Sequence, residues 1–167
     1  MKPKKNIQKG FTLIELLVAI GIFGLVVTMA AGIFVITITS QRRIIALRNV
    51  EDNIRFVTES MAREMRTGVN FSGGGNNIYF TNANGQSVAY RLSGGAIEKS
   101  VDGGSSYFAV TGSDITVNYL NFYLFGQASG DGFQPRVAIV MGASSQVGNQ
   151  TANLKTQTMV SGRFLQI

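Results

Sequence analysis

The pattern of apolar and polar positions divides the chain into three parts. Residues 16–38 carry no charged side chain, and a helix of that length spans about 35 Å, enough to cross the roughly 30 Å hydrocarbon core of a bilayer. The chain then runs without a break into an amphipathic pattern, in which apolar residues recur at steps of three and four. These residues are Leu47, Val50, Ile54, Val57, Met61 and Met65. We therefore expect one helix over about residues 12–67, with a C-cap at Gly68.

The remaining part, residues 68–167, is rich in glycine and in short runs of β-forming residues. Six segments alternate or cluster in the manner of strands, namely 77–81, 87–92, 96–101, 115–125, 136–141 and 154–165. They predict an antiparallel sheet of six strands that covers the apolar stripe of the helix. Gly73–Gly75 reads as a flexible connection between helix and sheet. The expected fold class is α+β, with a long N-terminal helix packed on a C-terminal antiparallel sheet.

The positive charge of the chain is concentrated in one short segment. The 167 residues carry a formal charge of +6, but four of the 15 basic residues are lysines within residues 1–10. A lysine cluster directly before an apolar run is typical of the cytoplasmic flank of a membrane segment. Residues 67–167 hold five basic and four acidic residues, so this part lacks the basic surface of a nucleic-acid-binding protein.

Composition excludes several classes of chemistry. The chain has no His and no Cys, so a thiolate nucleophile, a Ser-His-Asp triad, a zinc site of the usual ligands and a disulfide framework are absent. Asp102, Asp114 and Asp131 lie beside Gly or Ser without the spacing of an EF-hand loop, and they are interpreted as turn residues. We predict no catalytic residue, no cofactor and no metal site.

Glu15 is a carboxylate in the first turn of an otherwise apolar helix. A charge within a membrane costs roughly 2.5–3.5 kcal/mol on insertion scales. Glu15 either lies at the interface and reaches the headgroups, or it has a positive partner inside an apolar assembly. A cut between Gly10 and Phe11 would create such a partner, the α-amino group of Phe11.

Residues 9–20, KGFTLIELLVAI, resemble the N-terminus of type IV prepilins and type II secretion pseudopilins. The shared features are a short basic leader, Gly10 before Phe11, Glu15 at the fifth position after the cut, and about twenty apolar residues. The resemblance covers roughly the first 40 residues. It implies cleavage between Gly10 and Phe11 by a prepilin peptidase and N-methylation of Phe11. It also implies that Glu15 pairs with the Phe11 amine of a neighbouring subunit during assembly.

Two further similarities concern the kind of subunit. Residues 53–66 resemble the helix that follows the membrane segment in J/W-type minor pilins, and the closing strand around 154–165 resembles their terminal strand, with Arg163 as a strand residue. These similarities imply a subunit that primes or tips a filament. A major pilin, a DNA-uptake pilin and a single-pass membrane-anchored binding module without an assembly role are the alternatives.

The resemblance also implies a division of the chain and a set of partners. The parts are a leader at 1–10, the transmembrane and assembly half of the helix at 11–39, its amphipathic half at 40–67 and a sheet head at 68–167. The expected partners are other pilin or pseudopilin subunits, the prepilin peptidase and methyltransferase, and an assembly platform in the inner membrane. The N-terminus would lie inside the cell, and the assembled subunit would lie in an extracytoplasmic pilus or pseudopilus. No catalysis and no nucleic acid are expected.

Overall fold

The computed structural model describes residues 10–126 and 133–163. The predicted leader residues 1–9, Asp131 and the last predicted strand residues at 164–165 lie outside the described residues. The chain divides into two compact units, one up to Gln41 and one from Arg42 onward.

Helix α1 extends over Leu13–Arg66 and confirms the long N-terminal helix. From residue 42 onward one face of α1 is buried against strands, and it carries the apolar residues Ala46, Val50, Ile54, Val57, Met61 and Met65. The prediction of Leu47 in this stripe is wrong, because Leu47 is 44% exposed and Ala46 is fully buried. Steps of four from Ala46 to Val50 and Ile54 keep these side chains on one face of a 3.6-residue helix.

Within the described residues, eight strands form two antiparallel sheets instead of the single six-stranded sheet that the sequence predicts. The strands are β1 (Val69–Gly74), β2 (Asn77–Thr81), β3 (Ser87–Ser93), β4 (Ala96–Ser100), β5 (Phe108–Ala109), β6 (Thr116–Phe125), β7 (Arg136–Val147) and β8 (Gln150–Ser161). The first sheet has the order β1-β2-β3-β4-β5, and the second has the order β6-β7-β8. The α+β class, with a long helix packed on antiparallel sheets, is confirmed.

The glycine segment that was expected to be flexible is part of the sheet structure. Gly73 and Gly74 end β1 with φ values of 96° and 132°, which a residue with a Cβ rarely adopts. Gly75 and Phe122 of β6 exchange two backbone hydrogen bonds, with N···O distances of 3.0 and 2.6 Å. This pair of bonds joins the first sheet to the second. The prediction of a flexible connection is therefore wrong.

The C-terminal end of α1 contacts both sheets, through Phe80 of β2 and through the backbone that follows β8. Gly68 follows the helix, and a Cβ there would lie 2.7 Å from the Phe80 ring, so the glycine allows close packing at this point. Arg163 lies beyond the end of β8, and its backbone N–H donates to the Arg66 carbonyl oxygen at 2.8 Å. The sequence predicts Arg163 as a strand residue, and this prediction is wrong. Its backbone N–H instead caps the end of the helix.

Candidate assembly site

The predicted cleavage and pairing residues lie where the chain enters α1. Gly10 and Phe11 precede the helix, and the Phe11 side chain is 84% exposed. Thr12 follows them, and its carbonyl oxygen accepts the Leu16 N–H at 3.2 Å. Glu15 lies in the first turn. The three residues of the predicted site are thus close together in an exposed segment at the start of the helix.

Thr12 and Glu15 form a reciprocal pair of capping contacts that the sequence analysis missed. The Glu15 N–H donates to the Thr12 hydroxyl oxygen at 3.3 Å, and Glu15 Oε2 accepts the Thr12 N–H at 3.4 Å. The Thr12 hydroxyl also lies 3.5 Å from the same oxygen. This is the capping box of a T-x-x-E sequence, and that spacing was visible in the chain. The helix N-terminus, where the backbone dipole favours negative charge, gives Glu15 a local reason for its position.

The apolar half of α1 has no covering within the described residues. An 18-residue window of the helix has a mean hydropathy of 2.5, and none of that window is buried. The large apolar side chains from Ile14 to Ile36 are 47–69% exposed, and Leu13, just before them, is 81% exposed. Continuous apolar surface of this size requires lipid or another protein around it. By length and composition the helix is able to cross a membrane.

The few polar groups of this half are satisfied inside the helix. The Thr28 hydroxyl donates to the Leu25 carbonyl at 2.8 Å, and the Thr37 hydroxyl donates to the Ile33 carbonyl at 2.9 Å. Such bonds remove the cost of placing a hydroxyl in an apolar environment. The one charged side chain between residues 13 and 41 of the sequence is Glu15.

Two carboxylates that the sequence places in turns, Asp102 and Asp114, accept hydrogen bonds from neighbouring groups. Asp102 accepts the Ser100 hydroxyl at 2.6 Å and the Ser106 N–H at 2.9 Å, and these hydrogen bonds hold the pKa of its carboxyl well below the usual range. The Asp114 carboxylate accepts the Asn53 amide at 3.3 Å. Among residues 10–126 and 133–163 there is no group of three or more His, Cys, Asp and Glu that could hold a metal ion.

Glu64 is the centre of a polar cluster between α1 and the first sheet. The Tyr90 hydroxyl donates to Glu64 Oε2 at 2.7 Å, and the Lys99 ammonium is paired with the other oxygen. Tyr90 is 1% exposed. Burial first, and the adjacent Glu64 second, raise the pKa of the Tyr90 hydroxyl above its usual value of about 10. This cluster ties the helix to strands β3 and β4.

Comparison with known families supplies one match. The model of the prokaryotic N-terminal methylation motif matches residues 5–31. The chain carries this motif. The match supports a pilin or pseudopilin that a prepilin peptidase processes, and together with the exposed apolar helix it supports membrane anchoring. No curated protein and no solved structure matches the chain significantly.

The motif and the geometry concern the same residues. The matched stretch includes Gly10, Phe11 and Glu15 and ends within the exposed apolar half of α1. Thr12 and Glu15 give this stretch its helix start, and the apolar residues give it a surface that lipid or other helices are able to cover. The sheets, in contrast, lie entirely outside the matched residues.

Proposed function

We propose that the chain is a pilin-like structural subunit that is cut between Gly10 and Phe11, methylated on the Phe11 amine and polymerised through the apolar half of α1. The observation that carries this proposal is the methylation motif at residues 5–31 on a helix whose most apolar 18-residue window has no buried residue. In the filament, that half would be covered by the same halves of neighbouring subunits. The function is structural, and its partners are other pilin-like subunits and the membrane enzymes that process them.

The cut changes the electrostatics of the chain. Removal of residues 1–10 takes away four lysines and leaves 11 basic and 9 acidic side chains, a net +2 before the new terminus is counted. The new α-amino group of Phe11 would lie next to the apolar half of α1, whose single carboxylate is Glu15. Burying one of these charges alone is costly, whereas burying them as a pair between subunits offsets most of that cost. The pair would therefore set the axial register of one subunit against the next.

The Thr12–Glu15 capping box is compatible with such a pair. Only Oε2 of Glu15 takes part in the capping contacts, so Oε1 remains an acceptor for the amine of a neighbour. The Thr12 N–H survives the cut, since the bond broken is the one between Gly10 and Phe11. Capping and intersubunit pairing thus use different oxygens of one carboxylate.

We also propose that the subunit primes or tips its filament. The support is the resemblance of residues 53–66 and of the segment around 154–165 to J/W-type minor pilins. Purification from native membranes tests this part: a complex with several different pilin-like chains, in which this chain is sub-stoichiometric, is expected. A homogeneous filament of this chain alone would contradict it.

The test of the main proposal is the pair of variants Glu15→Ala and Asp52→Ala, both in the full-length chain. Asp52 is an exposed carboxylate on the second half of α1, so its variant controls for the loss of a charge. We expect Glu15→Ala to insert in the membrane and to be cut, but to be lost from sheared assemblies, whereas Asp52→Ala assembles normally. Mass spectrometry of the assembled chain should find Phe11 as a methylated N-terminus. Normal assembly of Glu15→Ala, or an assembled chain that still begins before Gly10, would show the proposal to be wrong.

A further inference from the structure

Strand β8 has one edge without a partner among the described residues. It pairs with β7 over twelve consecutive residue pairs, from Arg136–Ser161 to Val147–Gln150, without a register shift. It is the last strand of its sheet, and within residues 10–126 and 133–163 no backbone hydrogen bond joins its other edge to another element. In an antiparallel strand, alternate residues direct their N–H and C=O groups to each side. The outer edge of β8 therefore presents a long, regular row of backbone donors and acceptors.

The other strand edges are short or interrupted. Strand β5 has two residues, and β1 and β6 are joined at the Gly75–Phe122 bridge. The ladders of β1 with β2 and of β6 with β7 both contain register shifts. Proteins usually protect a free edge with proline, bulges, charges or short length. Strand β8 has no proline and no bulge, and its one charged residue is Lys155.

A groove lies beside this edge, on the side of the sheet that faces α1. It has a volume of about 310 Å³, and its lining combines the apolar Ile54 and Leu154 with two threonines, Thr58 and Thr156, and three charged side chains of α1. A second, mainly polar cavity of about 260 Å³ adjoins β8 further toward its start, between Arg43 and Leu47 of α1 and residues 151–153 of β8. Side chains of a strand alternate between two faces. A strand added to β8 would thus direct every second side chain into these two cavities.

We propose that the edge of β8 binds an extended segment of a different polypeptide by strand addition, with alternate side chains of that segment in the cavities between β8 and α1. The open row of backbone groups specifies a polypeptide in the extended conformation, because only a strand satisfies such a row along its length. Ile54 and Leu154 favour an apolar side chain in the larger cavity, and the charged and polar lining of both cavities favours polar groups beside it. The inference rests on the proposed function, in which the donor of the segment is a different subunit of the same assembly.

The charge on β8 argues against a second copy as the occupant. If two copies of the chain paired through β8, the two strands would run antiparallel about a twofold axis through the middle of the strand. Each residue would then lie opposite a residue whose side chain is on the same face of the sheet. The pairings that use most of β8 are centred on Lys155 or Thr156, and they place the two Lys155 side chains opposite or diagonal to each other. Like charges directly opposite each other are destabilising, and diagonal positions are still within reach of long side chains such as lysine. A strand from another chain carries no such restriction.

Amide hydrogen exchange on the cut chain, which begins at Phe11, tests strand addition directly. The chain would be compared as a monomer in detergent micelles and in assemblies isolated from native membranes. The outward amides of residues 150–161 are expected to exchange at least about tenfold more slowly in the assemblies, because each gains a hydrogen bond, while the turn at residues 82–85 stays unchanged. Unchanged exchange in β8 within assemblies that do form would overturn the inference and leave the proposed function standing. A chain that never enters assemblies would overturn both.

A matched pair of substitutions separates the groove from the rest of the edge. Thr156 faces the groove, and its neighbour Gln157 is exposed on the opposite face of β8. We expect Thr156→Arg to lower incorporation into assemblies about tenfold or more and Gln157→Arg to change it less than about threefold, with both variants equally stable as monomers. Equal effects of the two variants would contradict the inference.

Cross-linking tests whether the added strand comes from a second copy. Because the chain has no cysteine, Gln157→Cys allows specific cross-linking at β8. A covalent dimer of this chain would overturn the choice of a different polypeptide.

Discussion

At the residue scale, the contacts of Thr12 show that Glu15 has a partner before any neighbouring subunit arrives. Replacing Thr12 by Ala removes the hydroxyl that accepts the Glu15 N–H, and loss of such a cap costs about 0.5–2 kcal/mol. We expect the first-turn amides of α1 in Thr12→Ala to exchange roughly 2- to 30-fold faster than in the natural chain, as measured on the full-length protein in micelles. Thr12→Ser keeps the hydroxyl and should exchange at the natural rate. Equal rates in the Ala variant would mean that the capping box contributes nothing to the helix start.

Tyr90 makes a second prediction at this scale, with a definite dependence on pH. In Tyr90→Phe the hydrogen bond to the Glu64 carboxylate is lost, and we expect the free energy of unfolding to fall by about 1.5–3 kcal/mol at pH 7. The pKa of Tyr90 is raised in the folded chain, so its contribution is complete below the unfolded value of about 10 and is lost as the pH rises above it. The difference between the two chains should therefore shrink above about pH 10. Denaturant unfolding followed by circular dichroism measures it, and a difference that grows with pH would contradict the assignment.

At the scale of the element, the glycines of α1 form a face that other helices are able to approach. Gly21, Gly24, Thr28 and Gly32 lie within about 80° of one another at 100° per residue, and among the described residues no atom lies within 4 Å of a Cβ built on any of these glycines. We expect Gly24→Leu to leave insertion and cleavage unchanged and to reduce assembly severalfold, because a large side chain keeps neighbouring helices apart. Ala30→Leu, on the opposite face, is the control. Fractionation of sheared assemblies measures both variants, and equal assembly would exclude this face from subunit packing.

The same elements show what the sequence could predict and where tertiary structure was needed. The apolar run and the stripe from Val50 to Met65 are local signals, so α1 was predicted almost to the residue. The sequence does not predict strand β1, because Asn70 and Gly73 have positive φ values, which are not typical of a strand. This segment is a strand because it pairs with β2. The connection between the two sheets depends on the bridge from Gly75 to Phe122, a long-range contact that no local pattern encodes. The capping box at Thr12 was encoded, since a T-x-x-E spacing can be read directly from the chain.

At the scale of the whole molecule, the orientation in the membrane depends on a small difference in charge. Positive residues near the ends of a span decide which end stays inside, and those within about 15–20 residues count. Four lysines precede the apolar run, at Lys2, Lys4, Lys5 and Lys9. Arg42, Arg43 and Arg48 follow it closely, and Arg55 lies at the limit of that distance. The leader thus exceeds the outer flank by one charge at most. If residues 1–10 are removed after insertion, as we propose, the orientation has to be set before the cut.

The leader should therefore determine the orientation, although it contributes nothing to the mature subunit. In the double variant Lys4→Gln/Lys5→Gln, two lysines face at least three arginines, and we expect a mixed population in which part of the chains keep the sheets inside the cell. Those chains would present the Gly10–Phe11 bond on the wrong side and stay uncut. The double variant Arg42→Gln/Arg43→Gln increases the difference in the natural direction and should insert uniformly. Protease accessibility of the sheet unit in spheroplasts, read together with the ratio of cut to uncut chain, measures both effects. Uniform insertion of the lysine variant with complete cleavage would show that the leader charges do not set the orientation, because the inner flank would then hold fewer positive residues than the outer one.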